Sequence, residues 1–305
     1  MNVHAQSSSR KAPAGAQNLT ACVVTASYAP DFERCRLLCE TMDRHVEGSF
    51  RHLLLVESRD VQKFKALETG RRIVVDERDL LPSWLRPFSD PSSGFKRRIW
   101  LSPWTKPLRG WHVQQLRRIA IAEHLDEQVL VYCDSDVAFL RPFSLSAFNR
   151  GNDIRLYRRI SDAGHVPAPD DHLWQANAAR ILGIAAPKTS GFDYINTLIA
   201  WRRDTVRAMR RHIELVSGKG WLETIASDRK FSECTLYGRY VDEVTGGAHH
   251  FVESNEFCRV HWNGTPMTGD EINQFIGSMG PGQVAIGMQS FIGTDVGQLR
   301  RALGL

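Results

Sequence analysis

Hydrophobic and polar residues alternate along the chain in blocks that predict β-strands followed by amphipathic helices. Apolar runs at 19–25, 52–56 and 73–75 have the length of strands, and the first two precede apolar residues at helical spacing. A stronger run, VLVYC at 129–133, follows a predicted helix that begins at Gly110. Strands that alternate with helices in this way predict an α/β protein with a mostly parallel central sheet flanked by helices.

The later part of the chain continues the same alternation. The pattern predicts strands at 154–157, 194–201 and 259–262, and helices at 171–182, from Asp204, after Ser232 and from Thr268. Residues 82–110 are irregular and rich in Pro, Ser, Trp and Arg, which predicts a long functional loop. The polar, small residues 1–18 predict a flexible arm, residues 19–265 one domain, and residues 266–305 a helical extension packed on that domain.

Composition narrows the class of protein. Hydrophobic residues make up 42% of the 305 residues and charged residues 24%, which excludes a fibrous or largely disordered chain. No apolar run reaches the roughly 18 residues of a membrane helix, and no signal peptide is evident, so we expect a cytoplasmic protein without a transmembrane segment. The net charge of +5 is dispersed along the chain, which argues against a nucleic-acid partner.

The candidate chemistry centres on Asp134, Ser135 and Asp136, which directly follow the VLVYC strand. Ligands of open α/β sheets bind at the carboxyl ends of strands, and residues i and i+2 of an extended segment point the same way. Two carboxylates this close repel unless a proton or a cation lies between them, and a hard cation, Mn²⁺ or Mg²⁺, fits oxygen ligands. An ordinary turn capped by aspartates is the alternative.

Two classes of enzyme place a pair of aspartates after such a strand. In phosphatases of the haloacid dehalogenase type the pair supplies a nucleophile and a general acid, and Val137 is compatible with their motif. Those enzymes usually carry the motif near the start of the domain, whereas here three strand–helix units precede it. In metal-dependent glycosyltransferases of the GT-A fold, the pair follows the fourth strand of the nucleotide-binding half, as it does here.

The chain resembles a bacterial family known as DUF6492, regarded as glycosyltransferases of the GT-A fold. Four segments carry the resemblance within roughly residues 20–263: VVTASYAPDFERC, GWHVQQLRRIAIA, the strand with its DSD, and FSECTLYGRYV. The resemblance implies a GT-A-like, Rossmann-like fold and transfer of a sugar from a UDP- or GDP-type donor to a hydroxyl acceptor, such as a glycan or small metabolite. We expect inversion at the sugar; a phosphatase and a non-catalytic nucleotide-sugar-binding protein are the alternatives.

The resemblance also implies which residues contact the donor. The loop that holds Thr25, Ser27 and Tyr28 is expected to meet the nucleotide base, although an ordinary strand-to-helix turn has the same composition. The other donor-binding candidates are Arg97 with its neighbours Arg98 and Lys106, Gln114 and Gln115, Asp134 and Ser135, and Gly191. The plainer alternatives are a solvated loop for the cations, a surface pair for the glutamines and a simple turn for the glycine.

The resemblance further implies a catalytic base and a third metal ligand. Glu233, at the start of a predicted short helix, is expected to be the base, with Asp228 as the second choice. An acid in this position is also favoured by the helix dipole alone. His261, on a predicted strand, is expected to complete the metal site with the two aspartates of the DSD, with His249 and His250 as rivals; a buried core histidine is the alternative.

Overall fold

A computed structural model describes residues 19–160, 168–186 and 191–305. The predicted flexible arm at 1–18 lies outside the described residues. The strands are β1 Ala21–Ala26, β2 Val46–Glu47, β3 Arg51–Val56, β4 Arg72–Asp76, β5 Arg86–Ser89, β6 Arg98–Leu101, β7 Leu108–Arg109, β8 Val129–Cys133, β9 Val137–Phe139, β10 Phe143–Ser144, β11 Asn149–Arg150, β12 Asp153–Tyr157, β13 Arg159–Ile160, β14 Phe192–Asp193, β15 Leu198–Arg202, β16 His250–Glu253, β17 Cys258–His261 and β18 Ala285–Met288. The helices are α1 Phe32–His45, α2 Val61–Phe64, α3 Glu77–Leu80, α4 Gly110–Ala120, α5 Asp171–Leu182, α6 Arg203–Ser217, α7 Trp221–Ala226, α8 Glu233–Arg239, α9 Gly269–Gly277 and α10 Val296–Ala302.

The central sheet has the strand order β15-β8-β1-β3-β4 among the described residues. Strands β8, β1, β3 and β4 run parallel, and β15 is antiparallel to β8. The prediction of an α/β fold with a parallel-rich central sheet is therefore confirmed. Strand β1 pairs with β3 on one side and with β8 on the other, so the strand order reverses there, and ligands of such sheets bind at this switch point.

Helices cover both faces of the sheet because its strands are apolar on both sides. Strand β8 is buried at all five positions. Its residues Leu130 and Tyr132 belong to a core cluster with α4, whereas Val129 and Val131 belong to a second cluster with Leu38 of α1. Alternate residues of β8 pack into different cores, so every position of the strand is apolar. A continuous apolar run such as VLVYC therefore predicts a parallel strand that is buried on both faces.

Two local predictions were wrong in part. Residues 86–109 are not an irregular loop but contain the antiparallel sheet β5-β6-β7, in which exposed Phe88 and Leu101 obscure the usual alternation. The strand expected at 194–201 begins only at Leu198, because Asn196 accepts a hydrogen bond from the next backbone N–H and bends the chain. The helix predicted from Asp204 begins one residue earlier, at Arg203.

The segment 266–305 contributes a strand as well as the two expected helices. Thr268 and Glu271 form the predicted capping box of α9. Strand β18 lies between β17 and β9, so it pairs with the three residues that directly follow the DSD. The backbone N–H of Met288 donates to the carbonyl of Asp136 at 3.0 Å. The C-terminal segment therefore helps to position the DSD turn.

Among the described residues, no helix combines the length and the apolar character that a membrane span requires. All six cysteines are buried and carry free thiols. They behave as small hydrophobic residues of the core.

Candidate functional site

A cavity of about 1280 Å³ opens at the carboxyl ends of the central strands. Its lining follows the strand order along the sheet edge. The residues at this edge are Glu57 and Arg59 after β3, Ser27 and Tyr28 after β1, Asp134, Ser135 and Asp136 after β8, and Asp193, Ile195 and Asn196 before β15. The cavity thus lies at the switch point, where the topology predicts a ligand.

The DSD forms a tight turn that directs both carboxylates into this cavity. The backbone N–H of Asp134 donates to the carbonyl of Thr197 at 3.0 Å, and the N–H of Val137 donates back to the carbonyl of Asp134 at 3.3 Å. Oδ2 of Asp136 accepts a hydrogen bond from the backbone N–H of Ser290 at 3.0 Å. Its Oδ1 is buried without a hydrogen-bond partner in the described part of the chain. A buried carboxylate oxygen without a donor is costly unless a proton or a cation meets it.

Burial shapes the charge of both aspartates. It raises the pKa of Asp134, against the opposing effect of the Arg118 guanidinium. Burial and the nearby charge of Asp134 raise the pKa of Asp136. Paired carboxylates with raised pKa values take up a proton or a divalent cation more readily than isolated surface aspartates do.

Arg118, on helix α4, joins two carboxylates inside the protein. Its Nη1 lies 2.9 Å from Oε1 of Glu233 and 3.5 Å from Oδ1 of Asp134. The guanidinium carbon lies 4.7 Å from the ring centroid of Tyr132 and 5.9 Å from that of Trp201. Burial works against the positive charge, but Glu233 and Asp134 outweigh it and raise the pKa of Arg118. The guanidinium therefore stays charged and fixes both carboxylates relative to the sheet.

Helix α8 brings Glu233 to the cavity wall. The hydroxyl of Ser232 accepts from the N–H of Thr235 and so caps the helix, which places Glu233 in its first turn. The N–H of Glu233 donates to Oε1 of Gln115 at 2.9 Å, and Nε2 of Gln115 donates to the carbonyl of Trp111 at 3.4 Å. Helices α4 and α8 are thus locked together at the point where Glu233 faces the cavity.

One side of the cavity carries a cluster of cationic side chains. Its members that line the cavity are Arg59, Lys96, Arg97, Arg98 and Arg109. Burial raises the pKa of Tyr28, and Arg97 lies near enough to oppose that rise. Nε of Arg59 lies 2.8 Å from Oε2 of Glu57. Among the described residues at this side, the five cations outnumber the two acids that line the cavity, Asp31 and Glu57, which favours an anionic ligand.

The structure brings most of the sequence-predicted site residues together. Those that line the cavity are Ser27, Tyr28, Arg97, Gln114, Gln115, Asp134, Ser135, Asp136 and Glu233. Arg98 and Trp111 line it as well. Their convergence places the expected nucleotide contacts, the aspartate pair and the expected base in one cavity.

Three other candidates do not line this cavity. Thr25 is fully buried in the sheet, where its hydroxyl lies 3.0 Å from Nε2 of His52. Gly191 is exposed and lies outside the lining. Asp228 faces outward, 3.6 Å from Nζ of Lys106, which is also absent from the lining. Thr25 is therefore a core residue, and Asp228 is held by a surface ion pair.

The structure also separates His261 from the aspartate pair. Its Nε2 lies 3.2 Å from the carbonyl of Thr265, and its ring contacts Phe275 in a separate surface hollow. The next two residues, Trp262 and Asn263, line the main cavity instead. The rival candidates His249 and His250 do not line it. Within the described ranges, no group of three or more His, Cys, Asp and Glu side chains is arranged to hold a metal ion.

The carboxylate oxygens of the aspartate pair fit a divalent cation. Asp134 and Asp136 offer carboxylate oxygens, which Mn²⁺ and Mg²⁺ prefer, and Oδ1 of Asp136 is buried with no donor from the described residues. Mg²⁺ in particular is commonly held by one or two carboxylates together with substrate phosphates. The cationic cluster on the same cavity provides a place for those phosphates.

Several lining residues were not foreseen from the sequence. Arg118 follows Gln114 and Gln115 by four and three residues on one helix, so helical spacing alone could have placed it on their face. Trp174 lies on α5, in an ordinary amphipathic pattern. Ser290 gives no local signal, because it reaches the DSD only through the pairing of β18 with β9.

The fold is that of an α/β protein with a cavity at the switch point of a parallel-rich sheet. The chain matches the Family of unknown function (DUF6492) over residues 16–278 and belongs to this family. The predicted family is thereby confirmed. The comparison with curated proteins found no match.

Replacing Arg118 by Met tests whether this ion pair holds the site. The change leaves the buried carboxylate of Glu233 unpaired, so the free energy of unfolding should fall by about 3–5 kcal/mol. Urea unfolding followed by circular dichroism measures it. Arg78→Met, which removes an exposed pair with Asp76, is the matched control and should change the free energy of unfolding far less. Equal effects of the two substitutions would contradict the structural role of Arg118.

Proposed function

We propose that the protein is a metal-dependent glycosyltransferase that moves a sugar from a nucleotide diphosphate donor to a hydroxyl group of an acceptor. The observation that carries the proposal is that one switch-point cavity contains two half-buried aspartates and a cluster of five cations. The diphosphate of a nucleotide sugar is anionic, so it suits the cationic side chains. The same diphosphate binds a divalent cation, which the two aspartates would hold. The GT-A-like character of the fold belongs to the same proposal.

The cavity residues divide the work of binding the donor. Asp134 and Asp136 would hold Mn²⁺ or Mg²⁺, which supplies electrostatic stabilisation for the charge that develops on the leaving diphosphate. Arg97 and Arg98, which line the same cavity, would bind and orient the diphosphate. Tyr28 offers an aromatic face for the base, at the end of β1.

Glu233 is the proposed catalytic base of an inverting transfer. A direct displacement requires the acceptor hydroxyl to lose its proton as it attacks, and a carboxylate on the face opposite the leaving group can accept that proton. Glu233 lines the cavity, and the ion pair with Arg118 holds its carboxylate in one orientation. Asp228 does not share this position, since it lies outside the cavity.

Metal-dependent donor binding tests the proposal. Thermal shift measured with UDP- and GDP-sugars should show stabilisation of the native chain only when MnCl₂ is present, because a ligand that binds the folded state raises its stability. Asp134→Asn combined with Asp136→Asn should abolish this shift. Because the pKa of both aspartates is raised, protons compete with the metal, and the apparent Mn²⁺ affinity should fall as the pH is lowered from neutral.

The control for this experiment is Asp204→Asn, which alters an exposed acid of α6 outside the cavity and should leave the shift unchanged. Metal-dependent nucleotide-sugar binding that persists in the double variant would contradict the assignment of the aspartates. A covalent phosphate on Asp134 after incubation with a phosphoester would instead indicate a phosphatase.

Glu233→Gln tests the proposed base. The substitution preserves size but removes basicity, so turnover should fall by about 10²–10⁴-fold while metal-dependent donor binding survives. Glu223→Gln, at a surface ion pair with Lys219, is the matched control and should retain turnover. The anomeric configuration of the product, measured by NMR coupling constants, completes the test. Retention of configuration would remove the need for a base on this face and would contradict the role of Glu233.

A further inference from the structure

The strand order fixes the sequence in which the lining residues follow one another along the sheet edge. Strands β3 and β1 end at the cationic side, β8 ends at the aspartate pair, and β15 begins beyond that pair. The residues that lead into β15 therefore lie on the far side of Asp134 from the cationic cluster. An anionic donor held by the cations leaves this far end for a second ligand.

Two tryptophans lie side by side in the cavity lining. Trp111, in the first turn of α4, is 49% exposed although it lines the cavity. Trp174 of α5 lies against it, with ring centroids 5.9 Å apart and planes at 35°. Nε1 of Trp174 is buried and has no hydrogen-bond partner among the described residues. An exposed indole face beside a donor that lacks an acceptor indicates a surface that is completed by a ligand.

Polar side chains on and near α5, β13 and β14 also line the cavity. Asp171 lies one turn before Trp174 on α5. Nη2 of Arg159 lies 3.3 Å from Oδ2 of Asp193, and Nη1 of Arg159 lies 3.3 Å from Oε1 of Glu256. Among the described residues, this part of the lining offers three carboxylates and one guanidinium. They suit a neutral ligand with many hydroxyl groups, which donate to carboxylates and accept from guanidinium.

A hydrogen-bonded residue connects the tryptophans to the proposed base. Gln115 donates to the carbonyl of Trp111 through Nε2 and accepts from the N–H of Glu233 through Oε1. Nε2 of Gln175 donates to the carbonyl of Phe192 and so ties α5 to β14. A ligand on the two indoles is thus held between the elements that position Glu233 and the strand edge.

We infer that Trp111 and Trp174 form an acceptor subsite, and that the acceptor is a carbohydrate whose ring packs on the two indole faces. A sugar ring has an apolar C–H face that suits an aromatic surface and hydroxyl groups that suit the surrounding carboxylates. The inference rests on the proposed glycosyl transfer and names its acceptor class. The donor then binds at the cationic cluster, and the acceptor binds at Trp111 and Trp174.

Titration with defined oligosaccharides tests this subsite. Cellotetraose, maltotetraose and chitotetraose are each titrated by calorimetry into the native chain in the presence of MnCl₂ and UDP or GDP. At least one should bind, and Trp111→Ala and Trp174→Ala should each weaken that binding by about tenfold or more. Trp174→Phe keeps an aromatic face and should weaken it less. Trp104→Ala, at an indole that is 55% exposed outside the cavity lining, is the matched control and should have no effect.

Donor binding, measured by thermal shift on the same variants, separates this inference from the proposed function. Trp111→Ala and Trp174→Ala should retain metal-dependent nucleotide-sugar binding. A loss of that binding would show that the indoles hold the nucleotide, and it would overturn the acceptor subsite. Failure of every oligosaccharide to bind would overturn it too, while metal-dependent donor binding would leave the proposed function standing. Oligosaccharide binding without any donor binding would contradict the proposed function instead.

Discussion

The candidate site depends on one buried ion pair, in which the guanidinium of Arg118 joins Glu233 and Asp134. Charges removed from water are destabilising unless partners and hydrogen bonds compensate them. Here Nη1 of Arg118 contacts both carboxylates and the guanidinium lies against the ring of Tyr132, while Nε and Nη2 are buried without a hydrogen-bond partner among the described residues. This one contact fixes helix α4, the end of strand β8 and the start of helix α8 relative to each other. A cavity of fixed shape between these elements is the consequence.

The topology of the sheet positions the other cavity side chains around Arg118. Parallel strands bring their carboxyl ends to one edge, and the reversal of strand order at β1 opens a crevice between the loops that follow β1 and β8. Cations from the segment after β3, from the segment before β6 and from β6 and β7 line this cavity, and the two tryptophans and the carboxylates near α5, β13 and β14 line it as well. Two ligands of opposite character, one anionic and one a neutral polyol, would thus meet between Asp134 and Glu233.

Local sequence patterns predicted the elements that carry most of the site. The run VLVYC gave strand β8 with its observed bounds, and apolar spacing gave helix α5 at 171–182. The loops after buried strands placed Tyr28 and the DSD correctly at the cavity. These features are local, because burial on both faces and a polar strand end are visible within a few residues.

Long-range pairing explains what the sequence did not show. Ser290 reaches Asp136 across 154 positions, through a strand whose partner is set by tertiary structure. His261 has the expected residue type and chain order, yet the main cavity is lined by residues 262–263 and not by His261. The sequence did not predict the antiparallel sheet at 86–109, because exposed apolar residues interrupt the alternation of apolar and polar positions that is typical of strands. Residue type and order along the chain do not determine which side of a strand faces a cavity.

The position of a bound metal ion tests the central claim most directly. Crystals grown with MnCl₂ and UDP or GDP, measured at a wavelength where manganese scatters anomalously, locate the ion independently of any activity assay. The account predicts an anomalous peak in contact with the Asp136 carboxylate, with the diphosphate between this peak and the guanidinium groups of Arg97 and Arg98. A nucleotide bound outside the switch-point cavity, or manganese bound away from both aspartates, would contradict it.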